Sequence, residues 1–273
     1  MAIGTEGFIE ECCPVLVHER PGPDWFRLTL RAPTIARRVQ AGQFVGVALH
    51  DPDLADPLLR RPLSVCTADR AEGTISLIYR SVGRGTAILA RFRPGEVLRL
   101  LGPLGQPFPV PASSRASALQ AGGHLFLVGG GLGIPPLALA AASVAGMPAV
   151  TAILGARTAS YLAGADEVAS TGVRTVLITE DGSAGLAGIV TAPLGSLLEA
   201  GDEVWACGPD AMLAAVRECA TQAGAACWLS VERPMACGFG VCIGCTIPRS
   251  GGGFAKACVD GPVFAGAEVI LGG

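Results

Sequence analysis

Four cysteines close together near the end of the chain constrain this sequence more than any other feature. They are Cys237, Cys242, Cys245 and Cys258, spaced Cys-x4-Cys-x2-Cys-x12-Cys within MACGFGVCIGCTIPRSGGGFAKACVDGPVF. The segment from about residue 228 to residue 273 is rich in glycine and shows little regular periodicity, so burial of apolar side chains cannot stabilise it alone. A metal centre on the four thiols would supply the missing stabilisation.

The spacing of these cysteines favours an iron–sulfur cluster. The first three match the C-x4-C-x2-C pattern of plant-type [2Fe–2S] sites, in which the fourth cysteine is distant. Gly238, Gly240 and Gly244 would let the loop curl closely and direct N–H groups at sulfur, which sets the reduction potential. Zinc is one alternative, although zinc sites usually show two short cysteine pairs, and inert thiols are the other. A cluster passes single electrons, so a flavin is expected to connect it to a two-electron partner.

Composition excludes several other classes of function. The net charge is −3, and the sequence contains no run of Lys or Arg, so a nucleic-acid partner is not expected. Mean hydropathy is +0.49, but Gly146 and Pro148 interrupt the most apolar stretch, Leu137 to Leu154. We interpret that stretch as a buried helix, a turn and a strand. The N-terminus has acidic residues where a signal peptide needs a basic segment, so a cytoplasmic location without a disulfide framework is expected.

The pattern of strands and helices predicts an α+β multidomain fold with three parts. Residues 1–108 contain alternating runs such as FRLTLRA, QFVGVALH and TISLIYRS, which are typical of a small antiparallel β-barrel. Residues 115–225 alternate apolar strands with helical segments, which indicates a Rossmann-like parallel α/β domain. Residues 226–273 would form a small C-terminal [2Fe–2S] domain, and Pro109–Gly123 is a predicted linker between the first two parts.

Two motifs of the first part predict a flavin site. In RRPLSV an Arg precedes a Ser by three residues, so the guanidinium could bind a pyrophosphate and the hydroxyl could approach the isoalloxazine ring. A pair of surface arginines before a strand is the alternative interpretation. The segment Ile78–Arg80 would add an aromatic face and a second cation. Gly85 and Thr86 would open a helix whose amides favour an anion.

A glycine-rich turn in the second part predicts a dinucleotide site. VGGGLGIPPL follows a predicted strand and opens a predicted helix, although Ile134 stands where the last glycine of G-x-G-x-x-G would be. A turn without a ligand is the alternative. Cys207 ends the last apolar strand and could contact a nicotinamide or belong to the core, whereas Glu180 and Asp181 are expected in a solvated loop. The predicted dinucleotide-binding residues are Gly129, Gly130, Gly131, Gly133, Cys207 and Gly208.

These motifs, taken in order, resemble a known family. RRPLSV, the Gly-Thr turn, GPLGQPF, VGGGLGIPPL and CGPDAML are similar to ferredoxin–NADP reductase-type proteins. MACGFGVCIGC and CVDGPVF narrow the resemblance to electron-transfer subunits of NAD-dependent (type B) dihydroorotate dehydrogenase, over nearly the whole chain. The resemblance places the cluster on the four cysteines. It places FAD on Arg61, Pro62, Leu63, Ser64, Ile78, Tyr79, Arg80, Gly85 and Thr86.

The resemblance also implies a partner and a route for electrons. The partner would be a separate FMN-containing subunit that oxidises dihydroorotate in pyrimidine biosynthesis, in a heterotetramer with two of each chain. Electrons would pass from FMN through the [2Fe–2S] cluster to FAD and then to NAD. The chain is too short to include a TIM-barrel dehydrogenase. It should therefore be an NAD-linked oxidoreductase subunit with no catalytic residue for dihydroorotate.

Two other functions compete with this interpretation. The first is the small subunit of an NADH-dependent ferredoxin:NADP oxidoreductase or sulfide dehydrogenase, which shares the layout. The first cluster ligand of those proteins tends to be Asp, whereas this chain has Cys237. The second is a non-redox regulatory binding module whose cysteines hold zinc for structure. A visible spectrum distinguishes a redox protein from the zinc-binding module, because flavin and iron–sulfur absorption bands belong only to a redox protein.

Overall fold

The computed structural model describes residues 8–49, 57–109 and 122–272, so most of the predicted linker lies outside the described residues. The first part contains β1 (Ile9–Glu19), β2 (Trp25–Arg31), α1 (Pro33–Arg38), β3 (Phe44–Ala48), β4 (Arg61–Asp69), β5 (Thr74–Arg80), α2 (Arg84–Leu89) and β6 (Val97–Leu104). The second contains β7 (Leu125–Gly130), α3 (Ile134–Ser143), β8 (Val150–Ala156), α4 (Ala165–Ala169), β9 (Arg174–Thr179), β10 (Leu186–Ala187), α5 (Thr191–Leu197), β11 (Glu203–Cys207), α6 (Asp210–Ala223) and β12 (Ala226–Ser230). Three short strands follow: β13 (Thr246–Pro248), β14 (Phe254–Lys256) and β15 (Val263–Ala265).

The first six strands close into an antiparallel barrel in the order β1-β2-β5-β4-β3-β6. Side chains of a strand point to opposite faces, so alternation of apolar and polar residues gives a strand one apolar face. In the closed barrel that face is directed to the interior. In β2, for example, Leu28 and Leu30 are buried while Arg31 is exposed. The predicted barrel is confirmed.

The second part is a seven-stranded sheet in the order β10-β9-β8-β7-β11-β12-β15. All neighbouring strands are parallel except β15, which is antiparallel to β12. Helices follow β7, β8, β10 and β11, whereas β9 and β10 are joined by a turn. β7 is buried along its whole length, as expected of a strand covered on both faces. The predicted Rossmann-like domain is confirmed. From β7 the chain adds β8, β9 and β10 on one side of the sheet and then β11 and β12 on the other side. The gap between β7 and β11, where the strand order reverses, is the position at which such sheets bind ligands.

The C-terminal segment is joined to this sheet at both of its ends. Ala226–Ser230 forms β12 beside β11, and Val263–Ala265 returns as β15 on the outer side of β12. Between them, β13 and β14 form a separate hairpin. The boundary between the second and third parts, placed between residues 225 and 226, stays a prediction. β12 extends the sheet of the second part to Ser230, and the cysteine loop begins only after it.

Aromatic stacking connects the barrel to the sheet. Phe108, which follows β6, stacks on Trp205 of β11 with ring centroids 5.1 Å apart and planes at 10°. Both side chains are almost completely buried. The indole N–H of Trp205 donates to Glu203 (2.7 Å).

We expect Trp205→Ala to lower the free energy of unfolding by about 3–5 kcal/mol, because it leaves a cavity where Phe108 stacks. Trp205→Phe should cost less, since it keeps a ring in that position. Urea denaturation followed by circular dichroism measures both losses. Equal stability of Trp205→Ala and the unaltered chain would show that this contact does not support the interface between the two parts.

None of the helices in the described ranges has both the length and the apolar character that a membrane crossing requires. The apolar stretch from Leu137 to Leu154 forms the end of α3, a turn and most of β8. This agrees with its interpretation as a buried helix, a turn and a strand.

Candidate cofactor sites

The four predicted cluster cysteines converge at one corner of the molecule. Cys237 and Cys242 lie in an irregular loop, Cys245 precedes β13 and Cys258 follows β14. The Sγ atoms of Cys245 and Cys258 are 3.3 Å apart. The N–H of Cys242 donates to Cys237 Sγ (3.4 Å). In the part of the chain that the structure describes, no three His, Cys, Asp or Glu side chains are arranged to hold one metal ion.

Burial and hydrogen bonding affect these thiols differently. Desolvation opposes ionisation of Cys237, but N–H groups including those of Cys242 and Phe239 outweigh it and lower the pKa of the thiol to about 6. Burial first, and then the adjacent Cys245 thiol, raise the pKa of Cys258 to about 12. Two buried thiolates in contact would be costly without a compensating cation. This corner therefore has the donor set and the electrostatic need of a metal centre.

Two of the three predicted loop glycines adopt backbone conformations that favour glycine. The φ angles are 79° at Gly238 and 91° at Gly240. A Cβ on Gly240 would also lie 2.6 Å from a methyl carbon of Val259. Gly244 differs, because its φ is not positive and an added Cβ would make only an ordinary contact (3.7 Å) with Cys242 Sγ. The backbone of Gly244 therefore shows no requirement for glycine, in contrast to Gly238 and Gly240.

The residues after the fourth cysteine are connected to the barrel by Gln106, which follows β6. Its side-chain Nε2 donates to Val259 O (2.9 Å), and its backbone N–H donates to Gly261 O (2.6 Å). Gln106 thus contacts the segment that directly follows Cys258. The position of the cysteine corner depends on the barrel as well as on its own loop.

We expect Gln106→Ala to lower the free energy of unfolding by about 1 kcal/mol, since one hydrogen bond is lost. Amide hydrogen exchange over residues 259–262 should become faster, as mass spectrometry would measure. Gln222→Ala is the matched control, because that side chain bonds to Glu218 on the same helix. Unchanged exchange in Gln106→Ala would contradict a connecting role for this side chain.

The three segments predicted to bind flavin meet at one end of the barrel. Antiparallel pairing of β4 with β5 sets Arg61–Ser64, at the start of one strand, beside Ile78–Arg80, at the end of the other. The start of α2 reaches the same place, because a Cβ on Gly85 would lie 2.7 Å from Arg61 Nε. Residues far apart in sequence therefore form one surface, as the flavin prediction requires.

The guanidinium of Arg61 has an unused donor on this surface. Its Nε is buried and finds no hydrogen-bond partner among the described residues, while Nη2 donates to Leu59 O (2.9 Å). Beside it, Thr86 Oγ1 accepts the N–H groups of Val82 and Gly83 (3.0 and 3.1 Å) and fixes the turn that opens α2. A buried donor without an acceptor is unfavourable, so an anionic ligand group would satisfy Arg61.

Tyr79 does not offer the aromatic face that the sequence suggested. Its side chain is 2% exposed and points into the barrel, where its ring stacks on Phe26 with centroids 5.4 Å apart. Its hydroxyl contacts Nε2 of His18 (3.0 Å). Because side chains alternate along β5, Ile78 and Arg80 point to the opposite face. The prediction of an aromatic face at Tyr79 is wrong, although its backbone remains beside the flavin segment.

A pocket of about 580 Å³ opens at the carboxyl ends of the parallel strands. Gly130 at the end of β7 and Gly131 directly after it line the pocket, and Glu180 lines it directly after β9. The barrel contributes Trp25 and Arg80 to the opposite wall. Its position at the reversal between β7 and β11 is the one at which parallel α/β sheets bind dinucleotides.

Arg80 is held rigidly in the pocket wall. Its Nε donates to Asp24 Oδ2 (2.9 Å). The guanidinium carbon lies 5.6 Å from the ring centroid of Trp25 and 5.2 Å from that of Tyr161, which is cation–π distance. Arg80 was predicted to bind flavin, and the structure places its head group in the pocket between the barrel and the sheet.

Of the five glycines predicted to bind the nucleotide, the four at the end of β7 and in the turn before α3 have two different roles. Gly130 and Gly131 line the pocket. Gly129 and Gly133 instead permit close packing: a Cβ on Gly133 would lie 2.0 Å from the carbonyl oxygen of Cys207. A Cβ on Gly129 would lie 2.9 Å from a leucine methyl of α3. Gly129 thus brings the strand end close to α3, whereas Gly133 brings the turn close to the end of β11.

Cys207 belongs to the core rather than to the pocket wall. Its side chain is 2% exposed, and burial raises the pKa of its thiol to about 12. Neither Cys207 nor Gly208 is among the residues that line the pocket; a Cβ on Gly208 would lie 2.6 Å from Met212, which does line it. The sequence left open whether Cys207 contacts a nicotinamide or belongs to the core, and in this structure it belongs to the core.

Several pocket residues were not predicted from the sequence. Glu180 was expected in a solvated loop, and it is exposed but faces the pocket. Desolvation, and then the carboxylate of Asp210, raise the pKa of Glu232 in the pocket. Glu180 and Glu232 both come just after a parallel strand, and ligands bind at the carboxyl ends of such strands. That position in the sequence could have predicted both carboxylates. The unpredicted lining residues include Trp25, Arg157, Tyr161, Ile189, Met212 and Glu232.

Comparisons with known proteins agree with the cysteine corner and the two-part fold. A family model described as the iron-sulfur cluster binding domain of dihydroorotate dehydrogenase B matches residues 232–270. The electron transfer subunit of dihydroorotate dehydrogenase B (NAD(+)) from Geobacillus thermodenitrificans (strain NG80-2) is 41% identical over 249 residues, 90% of this chain and 93% of that protein. The chain belongs to this family of electron transfer subunits. The member from Geobacillus sp. (strain WCH70) is 38% identical over 265 residues, 96% of this chain and 99% of its own length.

Solved structures share the fold of these electron transfer subunits. A chain of the NADH-dependent reduced ferredoxin-NADP oxidoreductase, studied for flavin-based electron bifurcation, has a TM-score of 0.81 at 30% identity and covers 95% of this chain and 90% of its own. A ferredoxin NADP+ reductase from Neisseria gonorrhoeae with bound FAD and NADP has a TM-score of 0.60 at 19% identity, covers 80% and 92%, and shows the fold alone. The family predicted from the sequence is confirmed, and dihydroorotate dehydrogenase B is favoured over the alternatives.

Proposed function

We propose that this chain passes electrons from an FMN-containing dihydroorotate dehydrogenase subunit to NAD. The convergence of the four cysteines at one corner carries the proposal, together with the identity of 36–41% to electron transfer subunits over about nine-tenths of the chain or more. The catalytic partner would join two of these chains to two of its own. In this role the chain serves pyrimidine biosynthesis but does not itself act on dihydroorotate.

The cysteine corner supports a [2Fe–2S] cluster in particular. The four cysteines are grouped two and two: the Cys245 thiol contacts the Cys258 thiol, and the Cys237 thiol accepts the backbone N–H of Cys242. Two irons that share two sulfides need two thiolates each, so this grouping fits the donor set of such a cluster. When bound, the cluster would supply one-electron transfer. The chain contributes the thiolates and the N–H groups of the loop that stabilise their charge.

The end of the barrel supports FAD. The unsatisfied Nε of Arg61 supplies a charged donor for a pyrophosphate oxygen, and Gly85 leaves room beside it because any larger residue would contact the guanidinium. Ser64 lies on the same strand and presents a hydroxyl. FAD, when bound, exchanges two electrons with NAD and single electrons with the cluster.

The pocket at the strand ends supports NAD. Gly130 and Gly131 leave the backbone open to a pyrophosphate, and Glu180 faces the pocket at the end of β9, where a ribose hydroxyl would find an acceptor. Arg80 and Trp25 of the barrel form the opposite wall, so this site adjoins the flavin segment of β5. Direct electron exchange between a nicotinamide and a flavin requires that their two sites lie next to each other.

Co-expression with the catalytic subunit tests the proposal. Dihydroorotate-dependent reduction of NAD is expected from the pair and from neither chain alone. The purified chain should also show flavin and iron–sulfur absorption and contain about two irons. Turnover of dihydroorotate by this chain alone, or an inactive pair with full cofactor content, would overturn the proposal. A colourless protein containing zinc would favour the regulatory module, and reduction of NADP by ferredoxin would favour the ferredoxin-dependent alternative.

A further inference from the structure

The chain contains a single lysine, and it lies beside the cysteine corner. Lys256 is that residue, whereas Lys and Arg together number 20. It ends β14, two residues before Cys258. Its Nζ donates to the carbonyl oxygen of Gly240 (2.6 Å), in the loop between Cys237 and Cys242. The side chain therefore reaches from the β13–β14 hairpin to the loop that carries the other thiols.

Gly240 lies between the hairpin and the thiols. Its N–H is near enough to the Cys258 thiol to oppose the rise in the pKa of that group, whose largest cause is burial. Its carbonyl accepts from Lys256. Its φ of 91° and the proximity of Val259 exclude a larger residue. The ammonium is thus hydrogen-bonded to a residue of the loop that carries Cys237 and Cys242.

The charge of Lys256 is not cancelled by a neighbouring carboxylate. Among residues 8–49, 57–109 and 122–272, no Asp or Glu oxygen lies within ion-pair distance of its Nζ. Asp260 is close in sequence, but its Oδ2 accepts the backbone N–H of Lys256 (2.6 Å) and its Oδ1 lies 3.7 Å from Nη2 of Arg249. The half-buried ammonium is therefore a fixed positive charge at the cluster loop.

We infer that Lys256 is a positioning residue that closes the cluster loop through Gly240 and raises the reduction potential of the cluster. The inference rests on the proposed function, because it assumes the cluster on the four cysteines. Reduction adds one electron, and so one negative charge, without making or breaking a bond. A fixed cation close by stabilises the reduced state more than the oxidised state. The hydrogen bond to the Gly240 carbonyl also holds the loop between Cys237 and Cys242 against the hairpin that precedes Cys258.

Three substitutions separate the charge from the hydrogen bond. Lys256→Arg keeps both, Lys256→Gln keeps a donor without charge, and Lys256→Met removes both. Arg70→Gln is the matched control, because it removes one charge from the exposed turn between β4 and β5. The full-length chain is reduced stepwise with dithionite and mediators, and the EPR signal gives the midpoint potential. Release of iron to a chelator gives the stability of the loop.

We expect a lower midpoint potential in Lys256→Gln and Lys256→Met, and wild-type potentials in Lys256→Arg and Arg70→Gln. Iron release should be about tenfold faster in Lys256→Met, as expected for loss of a charge-assisted hydrogen bond. Loss of the cluster from Lys256→Met alone would also support the loop role, and Lys256→Gln then tests the charge. Equal potentials in Lys256→Gln and Lys256→Arg, or cluster loss from Lys256→Arg, would overturn the inference. An unaltered chain without iron and EPR signal would instead refute the proposed function.

Discussion

Cys242→Ser is expected to remove the iron from the chain and to stop dihydroorotate-dependent reduction of NAD by the assembled pair. A serine hydroxyl stays protonated at neutral pH and is a poor replacement for a thiolate ligand. The backbone N–H of Cys242 donates to Cys237 Sγ and is kept by the substitution, so the change removes one thiolate ligand and leaves this contact of the loop in place. Iron should fall from about two atoms per chain to near zero, which iron analysis and low-temperature EPR would measure.

Two controls make this result specific. Cys12→Ser changes an exposed thiol of β1 and should keep the iron. In Cys242→Ser itself, NADH-dependent reduction of ferricyanide should continue, because that route needs only the flavin and the nucleotide pocket. Wild-type turnover of dihydroorotate with NAD in an iron-free Cys242→Ser pair would show that electrons do not need the cysteine corner.

Arg61→Ala is expected to weaken FAD binding about 100-fold. The Nε of Arg61 is buried without a protein partner, so its hydrogen bond is available to the ligand. Loss of a bidentate contact between a guanidinium and a phosphate removes two charge-assisted hydrogen bonds, together about 3 kcal/mol. The chain should be purified with little flavin, and titration of the flavin-free protein with FAD, followed by fluorescence quenching, measures the change in Kd.

The adjacent arginine is a matched control for this prediction. Arg60 bonds to Glu10 and approaches the carbonyl oxygens of Gly46 and Arg99 on the outside of the barrel. Arg60→Ala should therefore keep the flavin. If Arg60→Ala and Arg61→Ala lost FAD equally, a general weakening of β4 would explain the result better than contact with the pyrophosphate.

The sequence could predict those features that depend on local pattern. Alternation along β2 and β5 and the continuous apolar run of β7 were sufficient for the barrel and the parallel sheet. The short spacing of Cys237, Cys242 and Cys245 likewise identified the cysteine corner, because three ligands of one loop need little information from the rest of the chain.

Features that depend on contacts between distant residues were harder to predict. Trp25 reaches the nucleotide pocket from the barrel, across a boundary that no local pattern shows. The orientation of Tyr79 depends on the register of β5 within the closed barrel, and a shift of one residue would reverse it. The role of Gly133 becomes visible only when β11 brings Cys207 against it.

The return of β15 to the edge of the sheet has a consequence for protein engineering. A chain ended after residue 231 would keep β12 but lose the strand that pairs with it through Trp228, Leu229 and Ser230. That truncated reductase would present an unpaired edge, a surface prone to aggregation. Transplanting the iron-binding segment onto another flavoprotein would therefore require the recipient's outermost strand to be redesigned together with the transplanted segment.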